Sequence, residues 1–149
     1  MNSAFTRVTY VLSESQFDRL RTAKVLLFGL GGVGSFVAEA LVRSGIGTIG
    51  LVDHDNVDIT NLNRQSIATM KTVGQRKTDV MKERLLSINP DLTIETYPVF
   101  YPDKSIDVSR FDLVIDAIDS VNSKLELMRA CQEAGVPLIM SLGTGKRLD

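Results

Sequence analysis

Four glycines within six positions mark the first place in this chain where chemistry is legible. Gly29-Leu-Gly31-Gly32-Val-Gly34 follows the apolar run Lys24-Val-Leu-Leu-Phe28 and precedes Phe36, Val37, Ala40 and Leu41, which recur at helical spacing. Glycines permit a tight turn and a close approach of main chain to an anion. A helix that begins there aims its unpaired N–H groups and the positive end of its dipole at a phosphate. Asp53 lies nineteen positions past Gly34, at the end of a second apolar run, Thr48-Ile-Gly-Leu-Val52. That is where a carboxylate grips ribose hydroxyls. The competing reading is a glycine turn kept only for close packing, and the strand before it and helix after it weigh against that.

Two carboxylate pairs, Asp53-His54-Asp55 and Asp116-Ala-Ile-Asp119, each follow a predicted strand. Both are therefore expected at the carboxyl edge of one sheet, the edge where open α/β sheets bind ligands. Asp119 is the candidate Mg²⁺ ligand, because that ion takes one or two carboxylates and shares the substrate's phosphates. Helix N-capping by Asp119 or Ser120 competes with that role, and Asp116 is expected to be structural. Asn61, Asn63, Arg64, Gln65 and Lys77 form a cluster of amides and cations after the second strand. A dinucleotide pyrophosphate needs little side-chain cation, whereas a triphosphate with Mg²⁺ needs arginine and lysine clamps. On residue type alone, ordinary surface charge is the commoner account of Arg64 and Lys77, and turn hydrogen bonding is the competing account of Asn61 and Gln65. The sole histidine, His54, sits between two aspartates and is expected to be solvated.

The elements that must position these residues are legible as alternating patterns. Ser13 and Gln16 have capping-box spacing, predicting a helix over 14–21. The short continuous apolar run at 24–29 predicts a strand buried on both faces, as in a parallel sheet, and further strands are predicted at 48–53, 92–97, 112–116 and 137–141. Between them, helical spacing predicts helices after the glycines up to Gly45, over 74–88 with Pro90 as terminator, and over 122–134. The fold class is α/β, Rossmann-like, with a mainly parallel sheet flanked by helices. The 149 residues are 44% hydrophobic and 23% charged, typical of a single globular domain. Seventeen basic and eighteen acidic residues give a net charge of -1, which supplies no bulk field for nucleic acid. The single cysteine, Cys131, excludes an internal disulfide or a cysteine-built zinc site and is expected in the core. No transmembrane run or signal peptide is evident, so a cytoplasmic protein is expected. The chain breaks off on a loop straight after a core strand, which predicts a domain truncated at its C-terminal end.

Six motifs in order carry a resemblance: Gly29-Leu-Gly-Gly-Val-Gly34, Leu51-Val-Asp-His-Asp55, Asn61-Leu-Asn-Arg-Gln65, Val73-Gly-Gln-Arg-Lys77, Ile88-Asn-Pro90 and Asp116-Ala-Ile-Asp119. The chain resembles the ThiF/MoeB/HesA superfamily, the adenylating fold of ubiquitin-activating enzymes and their bacterial relatives, over nearly its whole length. The resemblance implies ATP as the nucleotide, with Asp53 on the ribose. It puts Asn61, Arg64 and Gln65 around the phosphates, Lys77 at the α-phosphate and Asp119 on Mg²⁺. Arg7, in Phe5-Thr-Arg7, resembles the family arginine that reaches the γ-phosphate in the neighbouring subunit, which implies a homodimer. Arg43-Ser-Gly-Ile-Gly47 and Asp116-Ala-Ile-Asp-Ser-Val121 with Lys124 are most similar to the tRNA threonylcarbamoyladenosine dehydratase branch. Two departures stand out: Arg76 replaces a usual proline, and Ser141-Leu-Gly-Thr-Gly replaces a more glycine-rich stretch.

The activity this implies is ATP-dependent adenylation of a carboxylate, cyclising a modified adenosine beside the tRNA anticodon. Internal ring closure needs no enzyme thiol. For tRNA, Lys71, Arg76, Lys77, Lys82 and Arg84 form a candidate basic strip, although Asp79 and Glu83 interleave it as on an ordinary helix surface. The alternative is adenylation of the C-terminus of a ubiquitin-like sulfur-carrier protein. A nucleotide-binding or dimerisation fragment without turnover and an NAD oxidoreductase are the remaining readings.

Overall fold

The computed structural model describes residues 3–142, so residues 143–149, including most of the Ser141-Leu-Gly-Thr-Gly stretch, lie outside the described residues. Among the described residues, five strands and four α-helices follow in the order α1 (Glu14–Thr22), β1 (Lys24–Phe28), α2 (Gly34–Arg43), β2 (Thr48–Val52), α3 (Lys77–Ile88), β3 (Thr93–Tyr97), β4 (Leu113–Asp116), α4 (Val121–Ala134) and β5 (Leu138–Met140). The strands form one all-parallel sheet in the order β3-β2-β1-β4-β5. The chain winds outward from β1 in both directions, so the topological switch point lies between β1 and β4, where open α/β sheets leave a crevice.

The apolar runs of β1, β2 and β4 are continuous because each of these strands is covered on both faces, whereas the edge strands β3 and β5 are only partly buried. Val25, Leu27, Ile49, Leu51 and Ile115 pack with Ala38, Val42, Val80, Met81 and Leu85 from α2 and α3. Their strand neighbours Leu26, Phe28, Val52 and Val114 pack on the opposite face with Leu127 and Cys131 of α4. Successive residues of a strand point to opposite faces, so a sheet covered on both sides needs apolar residues at every position. Leu26, Leu27 and Phe28 are each fully buried, and burial of such a side chain contributes about 1.5–3 kcal/mol.

Local chemistry sets the ends. The predicted capping box is formed: the Gln16 N–H donates to Ser13 Oγ and the Ser13 N–H to Gln16 Oε1. Gly135 closes α4 in the left-handed conformation, which glycine adopts without a Cβ penalty. Helix α3 starts at Lys77, three residues later than its sequence pattern predicts. Gly74 has φ +87°, and the segment before Lys77 pairs with the residues after β2. Val57 N–H donates to the Gln75 carbonyl at 2.8 Å, and Lys77 N–H to the Asp55 carbonyl at 3.0 Å. This pairing carries the first residue of α3 to the carboxyl edge of β2.

Candidate functional site at the carboxyl edge of the sheet

Register decides which residues meet. Phe28 pairs with Val52 on one side and Asp116 on the other, so Gly29, Asp53 and Ala117 leave the sheet at one level. The two predicted carboxylate pairs therefore share an edge, as their strand-end positions require. Around that edge lies a cavity of about 940 Å³, in the size range of small-molecule and cofactor sites. Of the residues singled out from sequence, Gly29, Gly31, Gly32, Asp53, Asp55, Asn61, Arg64, Gln65, Lys77 and Asp119 line it. Gly34 and Arg7 are not among its lining residues.

The glycine loop is fixed by close approaches. Gly29 has φ +87°, and a Cβ there would lie 2.5 Å from the Ala117 carbonyl oxygen. A Cβ on Gly34 would overlap the Gly29 carbonyl oxygen, so Gly34 serves the turn itself and not the cavity wall. Leu30 N–H, within the loop, donates to Asp53 Oδ2 at 2.8 Å, and Asp55 N–H donates to Asp53 Oδ1 at 2.8 Å. Both carboxylate oxygens are thus oriented by main-chain donors, each with a lone pair remaining for a further donor.

The amide and cation cluster is built on a short turn. Asp58 caps the 3-10 turn Ile59–Asn61, its carboxyl held below the usual range by the Thr60 hydroxyl and N–H. Asn61 returns the favour by accepting from the Asp58 N–H through Oδ1, which leaves its Nδ2 as the donor. Arg64 lies across Gly32, with Cγ 3.4 Å from the position of a Cβ there, and its guanidinium donates to the Thr60 carbonyl. Gln65 is buried beside Gly31, and its Oε1 has no partner among the described residues. Lys77, 5% exposed, reaches the cavity from the first turn of α3 with Nζ 3.6 Å from Asp55 Oδ2.

On the β4 side, Asp116 and Asp119 take different parts. Asp116 is fully buried, accepts from Ile118 N–H at 2.8 Å and pairs with Lys124 Nζ at 3.0 Å. That is the structural role its position predicts. Ser120, not Asp119, caps α4, so the Asp119 carboxylate is exposed in the cavity and bonded to none of the described residues. Cys131 is buried in the core as its helix position predicts, and burial pushes its thiol up from the usual range.

Sequence reasoning missed the wall formed by Val99, Phe100 and Tyr101 after β3. Ser123 Oγ donates to the Tyr101 carbonyl at 2.8 Å, and the Tyr101 ring meets Phe28 edge-on at 4.9 Å. The signal available was positional, since this loop leaves the same edge of the same sheet. His54 is half-exposed as expected, yet it belongs to the cavity, 3.1 Å from Asp55 and edge-on to Phe100 at 4.9 Å. Asp53, His54 and Asp55 bring ligand atoms within 4.8 Å of one another. However, Asp53 is engaged by main chain and Asp55 by Lys77 and His54, which leaves Asp119 as the available carboxylate.

A parallel sheet with a glycine loop at its switch point and a carboxylate at the end of the next strand defines a Rossmann-like α/β domain with an anion-cradling site. Comparison with known proteins narrows the class. The chain belongs to the ThiF family, which it matches over residues 6–146. It is 43% identical over 148 residues to the tRNA threonylcarbamoyladenosine dehydratase of Bacillus subtilis, covering 97% of this chain and 58% of that protein. The crystal structure of the Escherichia coli tRNA N6-threonylcarbamoyladenosine dehydratase in complex with ATP superposes with a TM-score of 0.89 at 37% identity. It covers 98% of this chain and 61% of its own. A sulfur carrier protein adenylyltransferase of Thermus thermophilus is 36% identical over 124 residues, 82% of this chain and 46% of that protein. The chain thus spans about six-tenths of the length of the dehydratases it matches. No helix among the described residues is long and apolar enough to cross a membrane.

Proposed function

We propose that this chain is the ATP-binding adenylation domain of a tRNA threonylcarbamoyladenosine dehydratase, acting as a homodimer on a tRNA carboxylate. The observation that carries the reading is the meeting of the glycine loop, Asp53, Arg64 and Lys77 around one cavity, together with the ATP-bound dehydratase at TM-score 0.89. In this reading Asp53 accepts from the ribose hydroxyls. Gly29, Gly31 and Gly32 with the N-terminus of α2 cradle phosphate, and Gly34 keeps the turn that makes the cradle. Asn61 Nδ2, Gln65 and Arg64 hold the outer phosphates, and Asp55 orients the Lys77 ammonium toward the α-phosphate.

The substrate carboxylate attacks the α-phosphorus, a new P–O bond forms, and the bond to the β-phosphate oxygen breaks with pyrophosphate leaving. Negative charge builds on the α- and β-phosphate oxygens as this happens, and Lys77 and Arg64 offset it from fixed positions. In the tRNA reaction the adenylate is then displaced from within the same nucleotide, closing a ring and releasing AMP. The cavity suits Mg²⁺ because Asp119 offers it a carboxylate with no partner among the described residues. When bound there, the ion neutralises phosphate charge. Arg7 is exposed on the N-terminal segment, whose Phe5 packs with Phe17 and the Gly45 turn. Absent from its own cavity lining, Arg7 is assigned to the γ-phosphate in the partner subunit.

The test is ATP–pyrophosphate exchange, read with tRNA carrying the modified adenosine and separately with a ubiquitin-like sulfur-carrier protein. Stimulation by the tRNA supports the proposal. Stimulation by the carrier alone selects the second reading, which the Thermus thermophilus relative favours. In the same assay Lys77→Ala is expected to cost on the order of 10²–10³ in rate and much less in ATP affinity. A normal rate removes Lys77 from the mechanism.

A further inference from the structure

Two loops from separate parts of the chain form the phosphate side of the cavity, and a buried hydroxyl joins them. Ser35, in the first turn of α2, is fully buried. Its Oγ donates to the Gly31 carbonyl at 2.6 Å and accepts from the Ser66 N–H at 3.2 Å. Gly31 belongs to the glycine loop, and Ser66 directly follows Arg64 and Gln65. Elsewhere these loops meet through contacts without direction. A Cβ on Gly31 would lie 3.6 Å from Gln65 Nε2, and one on Gly32 would lie 3.4 Å from Arg64 Cγ. Gln65 Oε1 and Ser66 Oγ are buried and make no hydrogen bond among the described residues, so neither tethers the second loop. Ser35 is small enough for a closed site and can donate and accept at once.

We propose that Ser35 is a positioning residue for polyphosphate recognition. Its hydroxyl fixes the separation between the glycine-loop amides and the Arg64–Gln65 pair, so that both sets of donors fit one triphosphate. This assignment rests on the ATP reading above. It also separates the two ends of the ligand: the ribose end is held by Asp53, whose partners Leu30 and Asp55 do not involve Ser35.

The experiment is calorimetric titration of the wild-type chain, Ser35→Ala and Ser66→Ala with ATP plus Mg²⁺ and, in parallel, with adenosine. Ser35→Ala is expected to bind ATP about five- to tenfold more weakly, the effect of one lost hydrogen bond and a loosened neighbour, with adenosine affinity unchanged. Ser66→Ala, which removes only the unpartnered hydroxyl and keeps the N–H, is expected to stay within about twofold of wild type for both ligands. Equal losses for ATP and adenosine in Ser35→Ala indicate general loosening and overturn the assignment. So does unchanged ATP affinity, or a Ser66→Ala loss matching that of Ser35→Ala. A wild-type chain that binds no ATP refutes the ATP reading itself, which is a different result from any of these.

Discussion

Lys124→Met tests how the floor of the cavity is held. Lys124 is 9% exposed, and its Nζ lies 3.0 Å from Asp116 Oδ2 and 2.8 Å from the Ser141 carbonyl. Asp116 is fully buried at the end of β4, and its other oxygen accepts from Ile118 N–H. The lysine therefore ties α4 to the carboxyl ends of β4 and β5, just below the turn that carries Asp119. Methionine keeps the length of the side chain and removes the charge. The carboxylate then faces the core with one main-chain donor and no cation. Breaking a buried pair in this way costs about 3–5 kcal/mol. With an unfolding entropy of about 2.1 cal/mol/K per residue, a chain of this size loses roughly 10–16 °C in Tm.

Urea unfolding is the companion assay, and the midpoint is expected to fall with an unchanged slope. Adding Asp116→Asn to Lys124→Met removes the stranded charge while leaving an acceptor for Ile118. The double variant is expected to recover most of the loss, a coupling that independent sites do not show. A loss below about 1 kcal/mol in the single variant, the size of an exposed pair, refutes the claim that the pair is sealed from water.

Two further expectations concern Asp53 and Glu39. Asp53→Ala is expected to weaken ATP and adenosine alike by about 1.5–3 kcal/mol, the worth of hydrogen bonds to a charged acceptor. Calorimetry checks it, and a loss confined to ATP would place Asp53 away from the ribose. Glu39 joins α2 to α3 through Arg84 (2.7 Å) and also meets Arg43 (2.9 Å); Arg84 chiefly holds its carboxyl below the ordinary value of 4.5. Because the folded pKa is depressed, its stabilisation is present above pH 4.5 and is lost as pH falls through the lower folded value. Melting curves taken from pH 7 down to pH 3 are expected to show a smaller acid-induced drop for Glu39→Gln than for wild type.

The centre of the sheet was legible because its inner strands are sealed on both faces: Val25 to Phe28 is apolar without a break, and no alternating pattern imitates that. The glycine loop and Asp53 were legible for a related reason, since their spacing reflects one βαβ unit and needs no information from elsewhere. The start of α3 was not. It depends on Gly74 adopting φ +87° and on residues 55–57 pairing with 74–77, contacts that no local pattern encodes. The loop at Val99–Tyr101 was missed because its place in the cavity depends on an edge contact with Phe28 and a bond from Ser123. Asp116 and Asp119 were separated by position alone, one at the strand end and the other three residues on. The ion pair with Lys124 and the choice of Ser120 as cap are the contacts that hold one in the core and leave the other in the cavity, and neither partner was named from sequence.

Burial at the Lys77–Asp55 pair is uneven. The lysine is 5% exposed while its partner Asp55 keeps 53% of its side-chain surface. Their 3.6 Å separation exceeds the 2.7–3.2 Å range of an N–H···O hydrogen bond. The cation is thus stripped of water more completely than its counterion, and no hydrogen bond joins the two. A carboxylate so placed keeps the ammonium oriented without saturating it. The uncompensated part of the field points into a cavity where Arg64 adds to it and loop amides wait. A phosphate oxygen entering there can take the hydrogen bonds that Asp55 does not make, and it meets donors already in place. Such preorganisation is worth most when charge develops during reaction, since no solvent has to turn. In the proposed reading, the same unevenness gives Asp55, expected at the cofactor site from sequence, the specific task of orienting Lys77.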